Sequence, residues 1–254
     1  MAGAKVPAMH ISIQGIDLHF DDRGASAPLV LLHGLTGVGD DFRHAFDMAA
    51  LRARYRVIAP DLRGHGRTAN PSGQFSFRQC ADDVLALMDA LGIERFSAVG
   101  TSLGAKTMLH VATLAPDRVE AMVLVSAAPH FPDATRALMR AAASAPLTDA
   151  VRDEMRSRHL HGDAQIEALW QLPARFASDR TDMSFTADRL AAITARTLLV
   201  HGDRDPLYPV ELAVELHRGV RGSSLWVVPS AGHVPIYGDA RAEFERLAVA
   251  FLAA

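Results

Sequence analysis

The sequence predicts an α/β fold, a mostly parallel central sheet of about eight strands with helices on both faces and a helical insertion. Three observations predict it. Short runs such as Leu29–Leu32 and Ala121–Val125 are too continuously apolar for half-exposed strands, so they read as buried parallel ones. Between them apolar residues recur at helical spacing. The runs themselves end in loops that carry glycine, histidine, serine or aspartate.

Taken in order, Met9–Ile13 alternates apolar and polar residues, Gly15 turns the chain, and Ile16–Phe20 alternates again, the pattern of an edge hairpin. The run Leu29–Leu32 leads directly into His33-Gly34-Leu35-Thr36-Gly37. A helix is expected through Phe42, Phe46 and Ala49, followed by a buried strand at Arg56–Ala59 that Pro60 breaks. Ser76 and Gln79 form a capping-box pattern opening a helix that buries Phe77, Ala81, Val84, Met88 and Leu91 and stops at Gly92. A strand at Phe96–Val99 precedes Gly100-Thr101-Ser102-Leu103-Gly104, and Ala105, Met108, Leu109 and Ala112 then recur helically up to Pro116.

After the strand Ala121–Val125 the pattern changes. From His130 to Leu190 there are short amphipathic runs and no evident strand, which divides the chain into a core of residues 1–129 and 191–254 and a helical cap of residues 130–190. Nine acidic residues face eight arginines there, a balance that argues against a phosphate-binding cap. Trp170, Phe176 and Phe185 are its candidate substrate-pocket residues. Thr197–Val200 returns to a buried strand ending in His201-Gly202-Asp203-Arg204-Asp205-Pro206. Pro209 suits a first helical position, and the helix it opens runs to Gly219. Leu225–Val228 is the last strand and leads to Gly232-His233; Asp239 is expected to cap a final helix presenting Phe244, Leu247, Ala248, Phe251 and Leu252.

Composition narrows the function. A net charge of −3 supplies neither a basic stripe for nucleic acid nor a polybasic patch for membrane, which leaves a small-molecule substrate as the expected partner. Cys80 is the sole cysteine, so no intrachain disulfide forms and a thiolate metal site is not expected. Met1–Ile13 lacks the apolar core of a signal peptide, which makes the cytoplasm the expected compartment. Only Lys5 and Lys106 among the 26 basic residues are lysine.

The chemistry gathers at one edge of the expected sheet. Ser102 sits at a strand-to-helix turn between two glycines, where a sharp bend exposes its hydroxyl and the following helix aims free N–H groups at nearby negative charge. An aspartate at 203 or 205 and His233 follow two other strands. A serine hydroxyl needs a base, and an imidazole base needs a carboxylate on its other nitrogen. Strand position does not choose between the aspartates. Pro206 holds Asp205 extended at the loop crest, which favours it, whereas Asp203 is placed to cap its own turn.

These motifs resemble the α/β-hydrolase superfamily, in its small esterase-like branch with a helical cap. The resemblance rests on His33-Gly34, Asp61-Leu62-Arg63-Gly64-His65-Gly66, Gly100-Thr101-Ser102-Leu103-Gly104, His201-Gly202-Asp203-Arg204-Asp205 and Gly232-His233, in that order. It implies the α/β-hydrolase fold, with Ser102 as nucleophile, Asp205 as orienting acid, His233 as base, and the N–H groups of Leu35 and Leu103 as oxyanion hole. It implies no cofactor and no metal. Many relatives carry a second glycine after Gly104, where this chain has Ala105-Lys106. His33 and His65 are expected to brace loops, His201 to be packed, and His159 and His161 to fall on different helix faces. The expected activity is hydrolysis of a carboxylic ester, thioester or lactone. Carbon–carbon bond hydrolysis and perhydrolysis use the same groups, and a non-catalytic receptor is the alternative from another class. Serine at the turn argues against dehalogenase and most epoxide-hydrolase chemistry, which place an aspartate there.

Overall fold

The computed structural model describes residues 9–254; Lys5 and the other residues of the expected core before Met9 lie outside the described residues. Among the described residues eight strands form one sheet: β1 (Met9–Ile13), β2 (Ile16–Arg23), β3 (Ala27–Leu32), β4 (Tyr55–Pro60), β5 (Phe96–Thr101), β6 (Val119–Val125), β7 (Arg196–Gly202) and β8 (Ser224–Val228). Their spatial order is β1-β2-β4-β3-β5-β6-β7-β8. β1 pairs antiparallel with β2, and β2 with β4; every other pairing is parallel.

The continuous apolar runs are explained by helices on both faces. Along β3, Val30 and Leu32 join Phe20, Phe96, Met122 and Leu124 in a core under α2 (Phe77–Ala90) and α3 (Leu103–Leu114). Leu29 and Leu31 point the other way, to Phe42, Phe46, Val99, Phe244 and Leu252 under α1 (Met48–Arg54) and α9 (Arg241–Ala253). Four helices lie between β6 and β7: α4 (Asp133–Ser144), α5 (Asp149–Arg158), α6 (Asp163–Ser178) and α7 (Ala187–Ala191). Their buried residues Met139, Met155, Ile166, Phe176 and Phe185 continue the first core, and the only extended pairing there is an isolated bridge between His130 and Ser184. α8 (Val210–Gly219) connects β7 to β8.

Three local expectations are corrected. The single helix through Phe42, Phe46 and Ala49 is a 3-10 turn, Gly39–His44, followed by α1, because Asp47 is extended and caps α1 by accepting the N–H groups of Ala49 and Ala50 at 2.9 and 3.2 Å. Pro209 is the extended residue before α8 rather than its first helical residue. Asp239 lies within a 3-10 turn, Gly238–Ala240, and α9 begins after it. Among the described residues no helix is long and apolar enough to cross a membrane.

Candidate active site

The site is built at the C-terminal edge of the parallel strands, where the chain must turn sharply out of the sheet. Ser102 takes φ +47° and ψ −99°, a left-handed conformation costly for a residue with a side chain. The two flanking glycines make the turn possible. A Cβ on Gly100 would stand 2.7 Å from the backbone of Gly104 and Ala105, and one on Gly104 would stand 2.1 Å from the Leu32 carbonyl oxygen. β5, the turn and α3 therefore pack at backbone contact, which only glycine permits.

Each loop of the site hangs on the end of a neighbouring strand. The Ser102 N–H donates to Val125 at the end of β6 (2.8 Å), and Ser126 donates to Val200 in β7 (2.9 Å). Asp203 donates to Val228 at the end of β8 (3.3 Å), and the Ser126 hydroxyl accepts the N–H of Val234 (3.0 Å). This ladder of bonds brings His233 over the serine. Asp205 Oδ2 lies 2.7 Å from His233 Nδ1, and His233 Nε2 lies 2.9 Å from Ser102 Oγ.

The protonation pattern follows from Asp205. Burial opposes its charge, but His233 and the N–H groups of Leu207 and Tyr208, both bonded to Oδ1, outweigh that and hold the carboxyl below its ordinary range. An ionised carboxylate only accepts, so Nδ1 of His233 carries the proton and Nε2 presents a lone pair to the serine O–H. Asp203 stands outside this chain. Instead of capping its own turn, it accepts the N–H of Ala231 (3.1 Å) and steadies the His233 loop.

Beside Ser102 the N–H groups of Leu35 and Leu103 have no acceptor among the described residues. The loop carrying Leu35 is fixed by His33, whose Nε2 accepts the Leu62 N–H (2.9 Å) and whose Nδ1 donates to the Gly34 carbonyl (2.7 Å). Burial lowers its pKa, in keeping with a neutral ring. Asp61 accepts the N–H groups of Gly39 and Arg67, and Arg63 forms two 2.7 Å bonds to Asp83 on α2. The Asp61–Gly66 motif thus acts as a buried brace. His65 is wholly buried, donating from Nδ1 to the Arg63 carbonyl (3.0 Å).

A cavity of about 280 Å³ opens over Ser102 and His233, walled by Leu35, Phe77, Met139, Phe176, Leu207 and Tyr208. Two expected pocket residues are corrected. Trp170 is partly exposed and turned aside, its indole N–H donating to the Ala145 carbonyl (3.0 Å). Phe185 packs edge-on against His110, 4.8 Å between ring centroids, and does not line the cavity. Phe176 does. Lys106, which no sequence motif marks as a pocket residue, also reaches the cavity, its amine 3.5 Å from Ser102 Oγ; its place one helical turn after Ser102 is the signal that sequence offers for it. A larger charged cleft, about 940 Å³ against Asp40, Arg43, Glu154 and Arg241, holds none of these groups.

Three of the other histidines named by the sequence, His201, His159 and His161, are held by hydrogen bonds to backbone groups. His201 Nε2 donates to the Tyr208 carbonyl (2.8 Å). His159 and His161 follow α5 rather than lying on a helix: His159 accepts the Gly66 N–H (2.9 Å) and donates to the Thr36 carbonyl (3.1 Å), while His161 donates to Arg67 (2.9 Å). Both tie the inserted helices to the loops of the site. Among the described residues no group of three or more histidine, cysteine, aspartate or glutamate side chains is placed to hold a metal ion.

The family described as alpha/beta hydrolase fold matches residues 27–153, and that described as TAP-like protein matches residues 170–252. The chain is 30% identical to 2-hydroxy-6-oxo-2,4-heptadienoate hydrolase of Pseudomonas putida, covering 94% of each sequence. Among solved structures it is similar to the meta-cleavage product hydrolase of Pseudomonas fluorescens (25% identity, TM-score 0.77, 96% of this chain and 97% of the other). It is also similar to the enol-lactonase of Burkholderia xenovorans (25%, TM-score 0.75, 97% and 100%).

Proposed function

The chain belongs to the alpha/beta hydrolase family, and from that premise we propose that it is a serine hydrolase that cleaves a carboxylic ester, thioester or lactone through an acyl-enzyme on Ser102. The observation that carries the reading is the continuous hydrogen-bonded chain from Ser102 through His233 to Asp205, with bonds of 2.9 and 2.7 Å. His233 Nε2 takes the hydroxyl proton as Ser102 Oγ attacks the carbonyl carbon. Negative charge then collects on the carbonyl oxygen, where the free N–H groups of Leu35 and Leu103 are aimed, and α3 adds its positive end. The imidazolium, stabilised by Asp205, returns the proton to the leaving oxygen or sulfur. Water attacks the acyl-enzyme with His233 again as base. No step requires a metal or organic cofactor.

The test is Ser102→Ala. A fluorophosphonate labels the wild type at Ser102, and the variant stays unlabelled while its kcat on short p-nitrophenyl esters falls by about 10⁶-fold. Labelling of the variant, or turnover near the wild-type rate, would move the nucleophile elsewhere. A second reading, carbon–carbon bond hydrolysis by the same groups, is supported by the likeness to hydrolases named for 2-hydroxy-6-oxo-2,4-heptadienoate and for a meta-cleavage product. Turnover of that dienoate in preference to every ester would select it.

A further inference from the structure

Lys106 is the one charged side chain of the cavity that acyl transfer leaves unused. It is 2% exposed, one helical turn along α3 from Ser102, and its Nζ faces the space over the nucleophile. The amine donates to the Tyr208 hydroxyl at 3.1 Å and stands 3.5 Å from Ser102 Oγ. Around it are the rings of Tyr208, Phe77 and Phe131, with centroids 4.7, 5.6 and 5.8 Å from Nζ.

An ammonium has three N–H groups to satisfy. Tyr208 takes one; Ser102 Oγ, whose O–H goes to His233, accepts a second only at the 3.5 Å limit of bonding distance, and the third has no acceptor among the described residues. No carboxylate among the described residues lies within ion-pair distance of Nζ; Asp205 acts on it only from further off, and burial lowers the amine to about 7. A methionine would fill the same space without the cost of desolvating a charge. A buried cation with an unfilled donor, opening into a substrate cavity, is arranged to meet an anion that arrives with the substrate.

We propose that Lys106 is the specificity-determining residue of the site, binding a carboxylate on the acyl part of the substrate, so that the substrates are half-esters or half-thioesters of short dicarboxylic acids. The inference rests on the reading of Ser102 as nucleophile. The spacing sets the acyl length. One end of the acyl group must meet Ser102 Oγ while its carboxylate meets Nζ, and these atoms are 3.5 Å apart. One or two methylene groups between carbonyl and carboxylate close that span; longer chains must fold back within a cavity of about 280 Å³. The apolar walls then contact the methylenes and the leaving group.

The experiment compares monomethyl succinate with methyl 4-methylpentanoate, in which an isopropyl group replaces the carboxylate, by kcat/KM at pH 6.5. The wild type prefers the half-ester by about 10- to 100-fold, the range of a hydrogen bond to a charged group. Lys106→Met lowers that ratio by the same factor, and free succinate inhibits the wild type more strongly than the variant. Fluorophosphonate labelling of Ser102 is measured in the same preparations. A labelled wild type that prefers the neutral ester, or a Lys106→Met protein that keeps the wild-type ratio, overturns the role of Lys106 and leaves the serine hydrolase standing. Should Lys106→Met fail to fold, the wild-type ratio and succinate inhibition decide alone. A wild type that is unlabelled and turns over neither ester overturns the underlying reading instead.

Discussion

Asp205→Asn probes the proposed machinery most sharply, because the surrounding backbone dictates how the new amide must sit. The Asp205 side chain is fully buried, and its Oδ1 accepts the N–H groups of Leu207 and Tyr208 at 2.8 and 3.1 Å. An asparagine keeps those bonds only with its carbonyl oxygen in the Oδ1 place. Its NH2 group then faces His233 Nδ1 at the 2.7 Å position, where a donor meets a donor. The imidazole relieves this by moving its proton to Nε2, which can then no longer accept from Ser102. The fold keeps both backbone bonds, so stability changes little, whereas kcat drops by up to about 10⁴-fold, or about 5.5 kcal/mol of activation free energy. The assay is initial-rate hydrolysis of p-nitrophenyl butyrate alongside thermal unfolding, with Asp203→Asn as control. An asparagine there still accepts the Ala231 N–H, so its activity stays near wild type. A folded Asp205→Asn protein within about tenfold of wild-type kcat, or an inactive Asp203→Asn protein, would refute the assignment.

Two further predictions concern the supports of the site. Gly104→Ala places a Cβ 2.1 Å from the Leu32 carbonyl oxygen, so α3 must move by more than 1 Å relative to β3. Displacements of that size cost about 10²-fold in rate, and the variant is expected to react with a fluorophosphonate about 100-fold more slowly; an unchanged labelling rate in folded protein would show that the contact does not position Ser102. Asp61 is buried, a position that by itself raises its pKa, but the His19 imidazole 3.3 Å away and the N–H groups of Arg67 and Gly39 bring it from an ordinary 3.8 to about 2. A lowered carboxyl lends stability above its unfolded value that is lost as pH falls through 4 toward 2, here about 2 kcal/mol. Asp61→Asn is therefore less stable at pH 7 and shows a shallower decline between pH 5 and 2; an acid limb identical to wild type in chemical denaturation would remove Asp61 from that balance.

Much of the fold was legible because a parallel sheet imposes strong rules. Strands buried on both faces must be continuously apolar, as β3 and β6 are, and turns at backbone contact must be glycine, as around Ser102. Positions that act through long-range geometry were less legible. Helical spacing places Trp170 on an apolar stripe and Phe185 is an apolar residue just before a helix, but neither pattern says which side chains face a cavity and which meet a neighbouring element. Asp47 broke a helix that its flanking apolar residues suggested, because the competing cap bond depends on local backbone angles. Lys106 lay closer to hand. It is one of only two lysines in an arginine-rich chain and falls on the same helical face as Ser102, yet its burial becomes evident only when Phe77, Phe131 and Tyr208 close around it.

The ladder of bonds joining the loops has a consequence for how the protein comes into being. Ser102 is held by the end of β6, Ser126 by β7, Asp203 by β8, and the His233 loop returns to Ser126. Its rungs span from 23 to 108 residues of sequence, and Ser102 and His233, which it brings together, are 131 apart. Contacts of that span are slow to close. During synthesis the Ser102 turn leaves the ribosome well before the loops that meet it, so a partly made chain carries the serine without Asp205 and His233. Ser102, His233 and Asp205 come together only once β8 and the loop beyond it have joined the sheet, so the proposed activity is expected to be absent from any shorter nascent chain.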